Sequence, residues 1–360
     1  MYRAPRVVLS IQLLLAGALV SAQQPWSIGT RAHYGFLWPH RPSSWILVEG
    51  HAAAVELFAE RRVHGDQPWH QDYQLPSYGI GVLYTGMANP EKIGTAVRVL
   101  PYLFLPLAKG ERSAFGLRLG WGVGYIAKPY DRVENTKQIA IGSRINTAIQ
   151  VMPEYRYHCD RWMFTSGIGI DHWSNGSVKL PNLGLNYLSA NIGASYALRD
   201  AVAINTVMAP SAFTAPHREQ LITAACGVSE SGRPLNGQYT VFSLNGQVQW
   251  RVGKKGTLGC GADVFNKGAL ATVHEELEGS DRAELTQVGV HGAGSLLFGR
   301  AELFMNVGAY VYTPVPDEAP LFQRLGFRYR SGRHLVWNIS LKSHYAVADH
   351  WEFGVGYRWN

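Results

Sequence analysis

The sequence predicts an all-β fold, an antiparallel transmembrane β-barrel of the outer-membrane type. About 14 strands are expected, with roughly 12 to 16 admissible, because such barrels take even numbers of strands of about ten residues each. Three observations lead there. Segments of strand length alternate apolar with small or polar side chains along most of the chain. Aromatic residues recur at segment ends, where interfacial girdles belong. After Gln23 no uninterrupted apolar run approaches the roughly 18 residues of a spanning helix.

At the start of the chain, Arg3 and Arg6 form a basic region, Val7 to Val20 an apolar one, and Val20-Ser21-Ala22 a small-residue cleavage site. Residues 1–22 therefore read as a secretory signal peptide, and 23–360 as a single barrel domain. No linker composition and no repeat of fixed period divides that stretch. Export without a spanning helix leaves a soluble secreted protein or an outer-membrane barrel. Strand length, aromatic placement and a glycine- and arginine-bearing second face select the barrel.

The 360 residues are 46% hydrophobic, which excludes a disordered chain. A formal net charge of +7 suits a partner carrying phosphate or carboxylate, such as an anionic lipid surface. No nucleic-acid partner is expected. Cys159, Cys226 and Cys260 are odd in number and scattered, so they fit neither a disulfide framework nor a metal-ligand spacing; one disulfide with a free thiol stays open. His274-Glu275-Glu276 lacks the second histidine of a zinc helix. Neither a metal nor another cofactor is called for.

In chain order, Trp26 to Trp38 and Gly50 to Arg61 read as strands joined by a turn over His40 to Ser44, followed by Tyr78 to Met87 and Gly94 to Leu107. Phe115 to Tyr125 is the clearest: Phe115, Leu117, Leu119, Trp121, Val123 and Tyr125 alternate with Gly116, Arg118, Gly120, Gly122 and Gly124. Ser143 to Cys159 leads into a hairpin from Arg161 to Leu198. A short strand over Ala201 to Met208 precedes an irregular stretch rich in Pro, Gly and Ser, Ala209 to Gln238, expected as an extended loop. Alternation resumes at Phe242 to Trp250, then Thr257 to Val264, Thr286 to Phe298, Ala301 to Tyr312, Leu321 to Tyr329 and Leu335 to Tyr345, with an acidic loop at Glu275 to Glu284. The final strand, Trp351 to Asn360, ends with an aromatic residue beside the C-terminus, as closing strands of outer-membrane barrels do.

The hairpin Arg161 to Leu198 carries the chemistry. Its first arm puts Trp162, Phe164, Ile168, Ile170, His172 and Ser174 on one face and Thr165, Gly167, Gly169 and Asp171 on the other. A polar pair ending an apolar, lipid-facing surface costs energy that a purely structural strand would avoid. Two residues apart on a strand, His172 and Ser174 leave the same side, the placement a base needs to activate a hydroxyl. Antiparallel pairing across the loop Asn175 to Leu185 brings Asn186 beside His172. The expected assignment is Ser174 as nucleophile, His172 as general base and Asn186 as the group orienting the imidazole. Asn175 and the backbone amides of Asn175 and Gly176 are the expected oxyanion donors. Of the nearby cations Lys179 and Arg161, Lys179 is the better placed to meet a lipid phosphate.

The run Gly167-Ile168-Gly169-Ile170-Asp171-His172-Trp173-Ser174-Asn175, followed by Pro181-Asn182-Leu183-Gly184-Leu185-Asn186, resembles the signature of the PagL-type lipid A 3-O-deacylases, the acyloxyacyl hydrolase family of bacterial outer-membrane enzymes. The likeness spans about residues 95–198. It implies an esterase that removes an acyl chain from the lipid A of lipopolysaccharide, with the family's base falling on His172, its nucleophile on Ser174 and its neighbouring asparagine on Asn175. The family's acid falls on Asn186, an amide that can fix a histidine tautomer but brings no charge. A non-catalytic barrel, channel or structural, and an outer-membrane phospholipase are the rival expectations. Oligomeric state stays open.

Overall fold

The computed structural model describes residues 24–201, 218–230, 232, 234, 237–315, 319–345 and 347–359. The expected signal peptide and the short strand over Ala201 to Met208 fall, in whole or nearly so, outside the described residues. Among the described residues there are sixteen strands, within the expected range. They are β1 (Trp26–Leu37), β2 (His51–Arg62), β3 (Ser77–Thr85), β4 (Ala96–Lys109), β5 (Ser113–Ile126), β6 (Ile145–Cys159), β7 (Trp162–Ser174) and β8 (Leu185–Ala197), then β9 (Arg218–Glu230), β10 (Gln238–Val252), β11 (Gly256–Lys267), β12 (Thr286–Phe298), β13 (Ala301–Tyr312), β14 (Leu321–Ser331), β15 (Leu335–His344) and β16 (Val347–Trp359).

They close twice rather than in the one ring expected from sequence. β8 returns to pair antiparallel with β1, Ala190 opposite Tyr34, and β16 pairs with β9, Phe353 opposite Cys226. Both rings alternate with period two, and only these non-local pairings say where a ring ends, which is why alternation alone did not divide the strands. β9 is a second difference, because it occupies part of the stretch expected as loop. Leu221 beside Ile222 and Ala224 beside Ala225 blur its alternation. All three cysteines are free thiols, so no disulfide forms.

Each ring is solvated by what its two faces offer. Outward residues such as Ile168, 62% exposed, and Ile192, 69% exposed, have no protein cover. Leaving an aliphatic side chain of that size in water forgoes about 1.5–3 kcal/mol, and Leu57, Val123, Leu258 and Phe353 add to the same outer band. An apolar surface repeated round both rings fits lipid. Among the described residues no helix is long and apolar enough to cross a membrane.

Inside, eight strands leave a lumen that side chains fill. In the first ring Arg31, Arg98, Arg118 and Arg156 face Glu56, Glu60, Glu154 and Asp171, all buried. Arg118 grips Glu56 bidentately at 2.6 and 2.9 Å, with Arg98 and Arg31 at 3.3 and 3.4 Å from the same carboxylate. Arg156 does the same for Glu60 at 2.5 and 2.7 Å. Stacking of Arg118 on Tyr102 and of Arg156 on Phe104, 3.7 and 3.4 Å from the ring centres, fills the remaining space. The second lumen is built alike, with Arg324 bridging Glu352 at 2.6 Å and Asp263 at 2.8 Å.

Removing one partner from such a lumen leaves the other charge buried. Arg118→Met should lower the stability of the folded protein by about 3–5 kcal/mol, read as an earlier midpoint in guanidinium unfolding from detergent. An unchanged midpoint would show that the interior ion pairs are dispensable.

Candidate active site

β7 is positioned from within. On its inner face Asp171 is held by Arg98 Nε at 2.8 Å and by Gln150 Nε2 at 3.0 Å, and Trp173 is fully buried. Strand geometry then sends His172 and Ser174 outward, as expected. Register pairs His172 directly with Asn186. The Nδ1 of His172 lies 2.6 Å from Asn186 Oδ1. An amide oxygen only accepts, so Nδ1 carries the proton and Nε2 keeps its lone pair. The other end of the amide is fixed too, since Asn186 Nδ2 donates to His40 Nδ1 at 2.8 Å.

Ser174 does not meet His172 in this structure. Its Oγ donates to Asn182 Oδ1 at 3.0 Å and accepts from the Gly176 N–H at 3.2 Å. The expected oxyanion donors are engaged as well: the Asn175 N–H donates to the same Asn182 oxygen at 2.9 Å, and Asn175 Nδ2 donates to Ser143 Oγ and to the Lys179 carbonyl at 2.9 and 2.7 Å. Asn182 Oδ1 thus sits between the hydroxyl and the Asn175 amide. Catalytic hydrogen bonds are often long or misaligned before substrate arrives, and a turn about the serine χ1 reaches another staggered well.

Two glycines of the β7–β8 loop let it lie against its neighbours. Gly184, at φ +81°, passes over the His172 ring, where a Cβ would stand 2.5 Å from Cε1. Gly176, at φ +65°, passes against the Trp351 indole, where a Cβ would stand 2.1 Å from Nε1. Trp351 belongs to β16, so the second ring reaches the site. It also ties the loop down: Glu230 N–H donates to the Ser177 carbonyl at 2.7 Å, Leu180 N–H to Glu230 Oε2 at 2.5 Å, and Ser177 Oγ to the Ala348 carbonyl at 2.6 Å. Lys179 is exposed on this loop. Arg161 lies at the opposite end of β7, paired with Asp200, and is no part of the site.

Two family models match, one described as lipid A 3-O-deacylase (PagL) over residues 53–195 and one as the C-terminal domain of acyloxyacyl hydrolase over residues 218–360. The chain belongs to the PagL-type lipid A 3-O-deacylase family. Each model falls on one ring, so the family likeness also takes in the C-terminal half. Membership makes the chain a hydrolase of ester-linked acyl groups on lipid A and points to the outer membrane. Among solved structures it is similar to two mutants of the Rhodopseudomonas blastica porin, each at 11% identity over 93% of this chain and all of the porin, with TM-scores of 0.20 and 0.19. No curated protein matches.

A serine–histidine–carboxylate arrangement exists elsewhere in this deacylase-family chain. His33 Nδ1 lies 3.3 Å from Ser189 Oγ and its Nε2 lies 3.5 Å from Glu56 Oε2. All three are inside the first lumen, at most 3% exposed, and a lipid ester has no way in past the packed arginines. The group of His172, Ser174 and Asn186 lies instead on the outer side of the wall.

Sequence reasoning passed over two residues that touch the site. Asn182 stands within the Pro181-Asn182 signature, yet nothing in its spacing foretold a bond to Ser174. His40 comes from the β1–β2 connection, distant in sequence from Asn186, and only the closure of β8 on β1 brings it near. Gly184→Ala should displace the imidazole and lower lipid A deacylation by about 100-fold, the scale of a misplacement near 1 Å, while the barrel still folds. An unaltered rate would show that the His172 ring need not stay where Gly184 lets it lie.

Proposed function

We propose that the chain removes an ester-linked acyl chain from lipid A by serine catalysis, with Ser174 as nucleophile, His172 as general base and Asn186 as the group that holds the imidazole. The observation that carries this reading is the 2.6 Å contact between His172 Nδ1 and Asn186 Oδ1, which leaves Nε2 basic on the face that carries Ser174. In the first step Ser174 Oγ attacks the acyl carbonyl and passes its proton to His172 Nε2. Collapse of the tetrahedral intermediate breaks the bond to the sugar oxygen, which takes that proton and leaves as the alcohol. Water then attacks the acyl-serine with His172 again as base, releasing the fatty acid.

The oxyanion is best placed where Asn182 Oδ1 now rests, within reach of the Asn175 N–H. Asn182 Nδ2 is buried with no hydrogen-bond partner, so a rotated Asn182 amide would offer a second donor. Lys179 is suited to an acidic group of the lipid head. The pore reading has less support, because ion-paired side chains occupy both lumens.

Asn186 sets the expected rate. It supplies tautomer and orientation without the charge that would stabilise the imidazolium. Purified protein in detergent, given lipopolysaccharide or glycerophospholipid, should release fatty acid from lipopolysaccharide. Ser174→Ala should reduce release on the order of 10⁴-fold or more. Asn186→Asp keeps the oxygen beside His172 and adds charge, so it should raise kcat by about 10-fold. Release that survives Ser174→Ala would remove the nucleophile, and release from phospholipid alone would move the substrate to that class.

A further inference from the structure

The outer wall of the second ring carries a groove of about 750 Å³, a size in the range of small-ligand sites. Its lining includes Ala224 and Cys226 of β9, Phe327 of β14, Trp337 of β15, and Phe353 and Val355 of β16. Small side chains from β9 and aromatic rings from β14, β15 and β16 share the lining. The groove lies on the lipid-facing surface, and its position relative to Ser174 gives it meaning.

A chain of contacts joins the groove to the site through Trp351. Gly176 N–H donates to Ser174 Oγ, and the Gly176 backbone packs on Trp351. The Trp351 ring lies 6.5 Å from that of Phe353, the next outward residue on β16. Trp121, from β5 of the first ring, lies 5.5 Å from Trp351 and 4.6 Å from the groove residue Phe327, centroid to centroid, so the first ring packs against the second here. From Trp351 to Val355 the strand descends about 13 Å, away from the loops and toward the middle of the apolar band. A lipid whose ester lies at Ser174 would send its hydrocarbon the same way.

We propose that this groove receives the acyl chain of the lipid whose ester is cleaved at Ser174, so that the second ring supplies chain recognition for chemistry carried by the first. The inference rests on the reading of Ser174 as nucleophile. A chain seated there is ordered beside the nucleophile, and its contacts favour long-chain esters over short ones.

The test is the ratio of kcat/KM for a tetradecanoyl ester to that for a butyryl ester, measured on the full chain in detergent. Ala224→Trp, which puts a large ring on the groove's lining, should lower the ratio by about 10-fold. Alkylation of Cys226 in the already folded protein with a benzyl maleimide should do the same, and Cys226→Ser should protect against it, which keeps the result independent of folding. A ratio left unchanged by both treatments, or equal loss on both esters, overturns the groove assignment. Ser174→Ala on the same esters tests the underlying reading separately: loss of both activities with an unaltered groove ratio would leave the nucleophile standing and reject the groove alone.

Discussion

Everything at the outer face of β7 depends on a charge held at its inner face. Asp171 is buried against Arg98 and Gln150, and Arg98 also reaches Glu56, the carboxylate on which Arg118 and Arg31 converge. A strand slip of one residue would exchange the two faces. It would pull Asp171 from Arg98 and place a carboxylate against lipid, and breaking a buried pair costs about 3–5 kcal/mol. That penalty fixes which residues of β7 look outward. His172 and Ser174 are outward because Asp171 and Trp173 cannot be.

The second ring changes what kind of site this is. On a lone eight-stranded barrel, the loop after β7 would have only its own strands to lean on. Here Glu230 and Ala348 receive or give its hydrogen bonds, and Trp351 lies against Gly176. The outer face beyond Ser174 is therefore covered, and Ser174 is buried although it points away from the lumen. The site lies in a crevice between two walls whose outer faces are both apolar. Family models for both rings fit one working unit.

Much of this was legible in the residues. Alternation in Phe115 to Tyr125 and in Trp351 to Trp359 marked strands with an apolar outer face, and the arginine between the leucines of β5 is the lumen ligand of Glu56. The spacing of His172, Ser174 and Asn186 across one hairpin sufficed to predict their register, because hairpin pairing is local. Ring closure was not legible, since it depends on β8 finding β1 and β16 finding β9. β9 itself hid behind adjacent apolar residues. His40 beside Asn186 follows from closure, and the Asn182 contact with Ser174 from loop conformation, neither of which period-two patterning encodes.

Asn186 places an amide rather than a carboxylate beside His172, with its Oδ1 2.6 Å from Nδ1. The most direct measurement is to treat the folded protein with a long-chain alkyl fluorophosphonate and locate the adduct by peptide mass spectrometry. A single adduct on the peptide carrying Ser174, absent after His172→Ala, is the expected result. An adduct on Ser189 or Ser177, or labelling of Ser174 that persists without His172, would contradict an outward serine activated by an asparagine-held histidine.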